Sequence, residues 1–156
     1  MQVKPLLREI SIRIADLSEI VDLRYQVLRA GLPREMAVFP GDELATSRHF
    51  GAFGTGMPAI SAVGCATLHL NQWENTPAWQ LRGMACAPDY RGMGLGRMLL
   101  EAVERSILDD AAAPRPLWCN ARTPAQGFYT RMGWKVVSEP FEIATAGPHV
   151  RMIRRL

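Results

Sequence analysis

No stretch of the 156-residue chain approaches the roughly 18 consecutive apolar residues of a membrane-spanning helix. The opening MQVKPLLREISIRI lacks the apolar core of an export signal, so a cytoplasmic location is the default expectation. Cysteine is scarce. Cys65, Cys86 and Cys119 are odd in number and lack close pair spacing, which argues against a disulfide framework and against a zinc site. They read as reduced core residues, and no metal is expected. There is no internal repeat and no low-complexity linker, so no boundary divides residues 1–156, and one domain is expected. A clustered basic stripe is missing too: Lys+Arg number 18 against 15 Asp+Glu, a net charge of +3 that is too small to point to nucleic acid. The densest basic patch, RMIRRL, reads as a solvated final strand.

What is present is the composition of a folded protein, 48% hydrophobic and 21% charged. EISIRI (9–14) alternates as a strand. Asp16 with Glu19 three residues on opens a helix whose apolar positions Ile20, Leu23, Val27 and Leu28 run towards Gly31. Residues 32–47 are irregular. HFGAFG and AISAVGCATLHL, with GTGMP between them, read as an antiparallel hairpin. After the loop NQWENTP, AWQLRGMACA is a further strand. A helix over 95–108 follows, with Leu95, Met98, Leu99, Ala102, Val103 and Ile107 on one face. RPLWCNA is the next strand. Thr123 to Gln126 form a capping box with proline at the first position of a short helix that Gly133 closes. WKVVSEPFEI and HVRMIRRL end the chain as two strands joined through ATAGP. This order predicts a mixed α/β sheet with helices on its faces.

The segment RGMGLGRMLLE places glycines 92, 94 and 96 between a strand and that long helix. A glycine-rich turn there aims backbone N–H groups at one point, where the helix dipole is positive, and suits a phosphate. Arg91 and Arg97 add charge at its rim. The spacing excludes a P-loop, which needs a Lys-Ser/Thr pair. It also excludes the dinucleotide fingerprint G-x-G-x-x-G after a first strand. The competing reading is a tight connection selected only for helix–strand packing.

The wider stretch MACAPDYRGMGLGRMLL resembles the pyrophosphate-binding segment of the GCN5-related N-acetyltransferase (GNAT) superfamily, with Arg91, Gly94 and Gly96 at its fixed positions and Gly92 in the commonest form. ARTPAQGFYTRMGW is similar to the superfamily's pattern A-x-x-x-Y-x-x-x-G-F, through Ala125, Tyr129, Gly133 and Trp134. The C-terminal part looks most like the ElaA-like branch. The resemblance covers nearly the whole chain and implies the acyl-CoA N-acyltransferase fold, a mixed, mostly antiparallel central sheet flanked by helices.

It also implies acetyl-CoA as cosubstrate. The pantetheine arm and thioester would lie along Met84, Ala85 and Cys86, with a backbone N–H near Met84 or Ala85 facing the developing oxyanion. The pyrophosphate would sit on Arg91, Gly92, Met93, Gly94, Leu95, Gly96 and Arg97. An amine would attack directly in a ternary complex, without an acyl-enzyme, which makes Cys86 and Cys119 poor nucleophile candidates. Tyr129 stands where relatives protonate the departing thiolate, a task a phenol near pKa 10 can perform. Relatives often hold the pantetheine with Asn at the position of Arg122; Asn120 is a partial substitute, and Arg122 a contact for a phosphate or an acidic substrate group. The cofactor strand has no Glu to act as base, which leaves water, His149 or His69. Glu35, Glu43 and Glu74 fall in irregular segments, where specificity usually resides. The implied partner is an amine acceptor, with no nucleic acid and no membrane, and a homodimer is left open. The rival function is a non-catalytic acyl-CoA-binding or regulatory module of the same fold.

Overall fold

The computed structural model of the chain describes residues 6–55 and 62–156. Strand β1 (Ile10–Ile14) follows a 3-10 turn at Leu7–Glu9, one residue later than expected. Glu9 leaves the strand because its carboxylate folds back to accept the Leu6 amide at 2.7 Å, a local bond that competes with the sheet ladder. Helix α1 (Leu17–Leu28) starts as its sequence predicts, with Glu19 Oε2 accepting the Asp16 amide at 2.8 Å. Strands β2 (Arg48–Gly54) and β3 (Gly64–Trp73) are antiparallel neighbours. The expected turn between them falls largely on residues 56–61, outside the described residues.

The loop NQWENTP is a correction. Strand β3 runs through Trp73, and β4 (Thr76–Cys86) pairs with it from Thr76 onwards. Only Glu74 and Asn75 turn the chain, at φ of 48° and 63°. Two successive positive φ values match the right-handed twist of the flanking strands, so the ladder closes without a loop.

Helix α2 (Leu95–Leu108) has the bounds that its periodicity predicts, and Leu100 joins the buried stripe. Strand β5 (Pro116–Arg122) leads into a 3-10 turn at Thr123–Ala125 and helix α3 (Gln126–Arg131). The predicted capping box is replaced there by the 3-10 turn, without a side-chain cap bond. WKVVSEPFEI is not one strand but two, β6 (Lys135–Val136) and β7 (Phe141–Ile143), which both pair with β8 (Gly147–Arg155). Between them Ser138 Oγ takes the Arg151 amide at 2.8 Å, and Pro140 has no N–H to offer.

The sheet order is β1-β2-β3-β4-β5-β8-β6, with β7 also on β8, and among the described residues only the β4–β5 contact is parallel. Alternation along β3 sends Ala66 and Leu68 to the core under α2, and Cys65 to the smaller cluster under α1. Leu99, Leu100, Val103 and Ile107 are fully buried against the first of these cores. Each such side chain contributes roughly 1.5–3 kcal/mol. RMIRRL belongs to β8: Met152 and Ile153 are buried while Arg151 and Arg155 face outwards.

Candidate active site

The site begins with a failure of strand pairing. Strands β4 and β5 are laddered only at Trp79↔Leu117 and Gln80↔Trp118. Beyond Gln80 the ladder of β4 is with β3, and that of β5 is with β8. Among the described residues the facing edges of 81–86 and 119–122 therefore carry backbone groups with no partner across the gap. A bulge re-aims β4 at this point: register slips between Cys65↔Ala85 and Thr67↔Arg82. Gly83 sits in the bulge at φ 61°, and a Cβ there would lie 2.7 Å from Arg24 Nε. The extra residue reverses side-chain alternation. Trp79, Leu81 and Met84 consequently pack on the α2 side, while Ala85 joins the α1 side.

Two cavities open into this gap. The larger, about 650 Å³, is lined by Met84, Ala85 and Cys86 of β4, by Arg91, Gly92 and Gly94 of the turn, and by Leu95, Gly96 and Arg97 of α2. All were expected together. Met93 is exposed and does not line the cavity. Gly92 and Gly94 take φ of 72° and 89°, a left-handed path that lets the turn tighten onto the helix. A Cβ on Gly96 would meet Phe128 Cζ at 3.3 Å and Met84 Cε at 3.7 Å. The helical ladder starts with Met98 N–H on the Gly94 carbonyl at 3.1 Å. The amides of Leu95, Gly96 and Arg97 precede it and are the orphan donors of the first turn. That turn contains no acidic residue, and the lining holds Arg91, Arg97 and Arg131 but no carboxylate. Arg131 was not anticipated; it reaches the cavity because α3 lies beside α2. The arrangement has the chemistry that suits an anion with an extended apolar portion.

The second cavity, about 340 Å³, is lined by residues of β4, β5, β8 and the end of α1, including Asn120, Arg122 and His149. It shares Met84, Ala125 and Tyr129 with the first. Tyr129 thus stands at the junction. It is buried, and its hydroxyl donates to Met84 Sδ at 3.5 Å, a weak acceptor that a better one can displace. Burial pushes its hydroxyl well above the usual phenol range, and the neighbouring Cys119 and Cys86 thiols add to the rise. The expected phenol near 10 is corrected accordingly. Burial also raises the thiols: Cys65 to about 12, and Cys86 and Cys119 upwards as well.

His149 is buried, and its Nδ1 lies 2.7 Å from the Gly147 carbonyl. A carbonyl only accepts, so Nδ1 is the donor of this bond, and in the neutral ring Nε2 carries the lone pair. His69 lines neither cavity; its ring lies against Gly41, where an added Cβ would be 2.4 Å away. Glu35, Glu43 and Glu74 are exposed and line neither cavity. Asn120 Oδ1 accepts from Arg151 Nε at 3.4 Å.

Sequence reasoning missed the arginines around Phe39. Arg24 is fully buried; it donates to Asp42 Oδ2 (2.5 Å), the Ala37 carbonyl (2.9 Å) and Thr67 Oγ1 (2.7 Å). Thr67 lies 2.8 Å from His49 Nδ1, and His49 Nε2 lies 3.0 Å from the Asp42 carbonyl. Arg82 adds a bond to Asp42 Oδ1 at 3.1 Å. Arg24, Arg29 and Arg82 all stand over the Phe39 ring, at 4.2, 4.9 and 5.7 Å. One signal was available: Arg24 falls four residues after Ile20, inside the apolar stripe of α1.

Comparison with known proteins bears on the fold and the family. The model of the acetyltransferase (GNAT) family matches residues 25–134. The uncharacterized N-acetyltransferase YitI of Bacillus subtilis is 28% identical over 147 residues, 94% of this chain and 97% of the relative. Among solved structures, Escherichia coli ElaA aligns with a TM-score of 0.77 at 18% identity, covering 94% of this chain and 99% of that one. Arabidopsis thaliana NAA60, solved in complex with acetyl-CoA, aligns with a TM-score of 0.72 at 13% identity, covering 94% and 98%. These structural likenesses are likenesses of fold.

Proposed function

Because the chain belongs to the acetyltransferase (GNAT) family, we propose that it transfers the acetyl group of acetyl-CoA to a primary amine by direct attack in a ternary complex. The observation that carries this reading is the junction. A cavity suited to an anion meets a second cavity at Met84, Ala125 and Tyr129, where a donor held in the first can face an acceptor held in the second.

The glycine turn, with Arg91 and Arg97, fits the pyrophosphate of the cosubstrate, and the unpaired edge of β4 fits its pantetheine amides as an added strand would. Acetyl-CoA supplies the thioester, whose acyl carbon accepts the amine lone pair as the C–S bond breaks and its electron pair leaves on sulfur. In this reading the Met84 backbone N–H, on the edge of β4 that faces the gap, polarises the carbonyl, since the Ala85 amide is turned to Cys65 on β3. Tyr129 O–H gives its proton to the sulfur. Its raised pKa does not disqualify it, because the same dry surroundings that raise a phenol also raise a thiol, as Cys65 illustrates. His149 Nε2 takes the proton the amine loses. The protonated thiols make an acyl-enzyme on Cys86 or Cys119 unfavourable, since the thiolate is the nucleophile.

The alternative is an acyl-CoA-binding module without turnover, favoured by the lack of any carboxylate base in the lining of either cavity. Release of CoA from acetyl-CoA, followed across a panel of primary amines, separates the two. Amine-dependent release supports transfer; tight acetyl-CoA binding without release from any amine supports the alternative.

A further inference from the structure

The second cavity has an electrostatic character that its size alone does not require. Arg29, Arg82 and Arg122 line it, and no Asp or Glu does. Asp42 is the nearest compensation, but it is shared by Arg24 and Arg82, so one carboxylate faces two guanidiniums. Among the described residues neither Arg29 nor Arg122 takes part in an ion pair. Both instead donate to one backbone oxygen, the Leu28 carbonyl, at 2.9 and 3.2 Å. Two like charges are thereby gathered at one point of the wall, a costly arrangement unless something anionic joins them. Burial lowers the pKa of Arg29, and the charges of Arg122 and Arg24 lower it further. Glu142 is exposed and alternates away from Phe141 and Ile143 on β7. The rest of the lining includes apolar Leu28, Phe39, Leu81, Met84 and Ile143.

We propose that Arg29 and Arg122 determine acceptor specificity by binding an oxyanion, so that the acceptor is a small primary amine that also carries a carboxylate or a phosphate. This inference rests on the acetyltransferase reading above. A guanidinium pair suits either oxyanion, since each presents oxygens to the N–H fork. The same wall repels polyamines and lysine-rich peptides, which gives selectivity by exclusion as well as by attraction. Positive charge around the acceptor also disfavours its ammonium form, which helps deliver the free amine in a site that has no carboxylate base.

The test uses matched pairs of acceptors with the purified protein. L-phenylalanine and L-methionine are compared with their carboxamides, glucosamine 6-phosphate with glucosamine, and spermidine serves as the polycation. The anionic member of at least one pair should show kcat/KM about 10- to 100-fold higher, the range for losing a charge-assisted bond. Which pair responds tells carboxylate from phosphate. Arg29→Gln and Arg122→Gln should raise KM for that anion and leave the Kd for acetyl-CoA unchanged, which also reports that the variants fold. Calorimetry of the same compounds on CoA-loaded protein reads the preference without turnover. Neutral or cationic members that react and bind as well as their anionic partners overturn the inference. Absence of CoA release together with selective binding of an anionic member would defeat the transferase reading and leave the oxyanion site standing.

Discussion

Two groups of arginines stand at and beside the second cavity, and the fold treats them differently. Arg24 and Arg82 are tied to Asp42, with Thr67, His49 and two backbone carbonyls completing the bonds. Arg29 and Arg122 line a cavity and share only a carbonyl oxygen. A buried cation with its counter-charge inside the protein holds α1, the 32–47 segment and β3 to one another. A cation whose counter-charge is missing is poised to bind something. The comparison separates residues that shape the site from residues that are free to recognise a ligand.

Three substitutions and one pH titration probe the two cavities and these arginines, from the largest expected effect to the smallest. Asp42→Asn removes the only carboxylate from a buried pair and should cost about 3–5 kcal/mol of unfolding free energy, read by urea denaturation. Gly96→Val projects a branched side chain against Phe128 and Met84 in the larger cavity. It should weaken acetyl-CoA about tenfold, equivalent to about 1.4 kcal/mol, in a calorimetric titration. The third test is pH. Burial alone would raise the Asp42 carboxyl, but the Phe39 amide, Arg24 and Arg82 outweigh it and hold it below the usual carboxylate range. A depressed folded pKa stabilises above the unfolded value near 4 and is lost as pH falls through the folded one. The stability difference between wild type and Asp42→Asn should therefore be flat from pH 7 to 5 and shrink below about pH 4. Last, Arg122→Gln should change stability by no more than about 1 kcal/mol, because it removes one hydrogen bond to the Leu28 carbonyl and also relieves the like-charge contact with Arg29. A loss as large as that of Asp42→Asn would erase the distinction between the two groups.

The parts of the fold with strong periodicity were legible beforehand. Helix α2 was placed to the residue, because its apolar spacing and the glycine turn mark both its register and its start. The turn at Glu74-Asn75 was hidden, since Glu does not signal positive φ and the surrounding NQWENTP is polar enough to pass for a loop. The division of β6 from β7 depends on the Ser138–Arg151 bond, which joins residues 13 apart. At the site, the glycine turn was a local pattern, Tyr129 came from the resemblance to the superfamily, and His149 was one of the bases left open by the missing strand Glu. Arg29, Arg82 and Asp42 were not, because their meaning comes from contacts between α1, the irregular segment and β4 that no local spacing encodes. Arg122 drew notice as a departure from the superfamily's pattern, and it lines the second cavity rather than the one at the glycine turn.

The central claim, transfer at the junction of the two cavities, is tested most directly by Tyr129→Phe. Phenylalanine keeps the ring that packs beside Phe128 and Trp134 and removes only the proton donor. With acetyl-CoA and a reactive amine both saturating, kcat should fall about 100-fold or more, the contribution of a positioned general acid, while the Kd for acetyl-CoA stays unchanged. An unaltered kcat would contradict the assignment of Tyr129 as the proton donor at that junction.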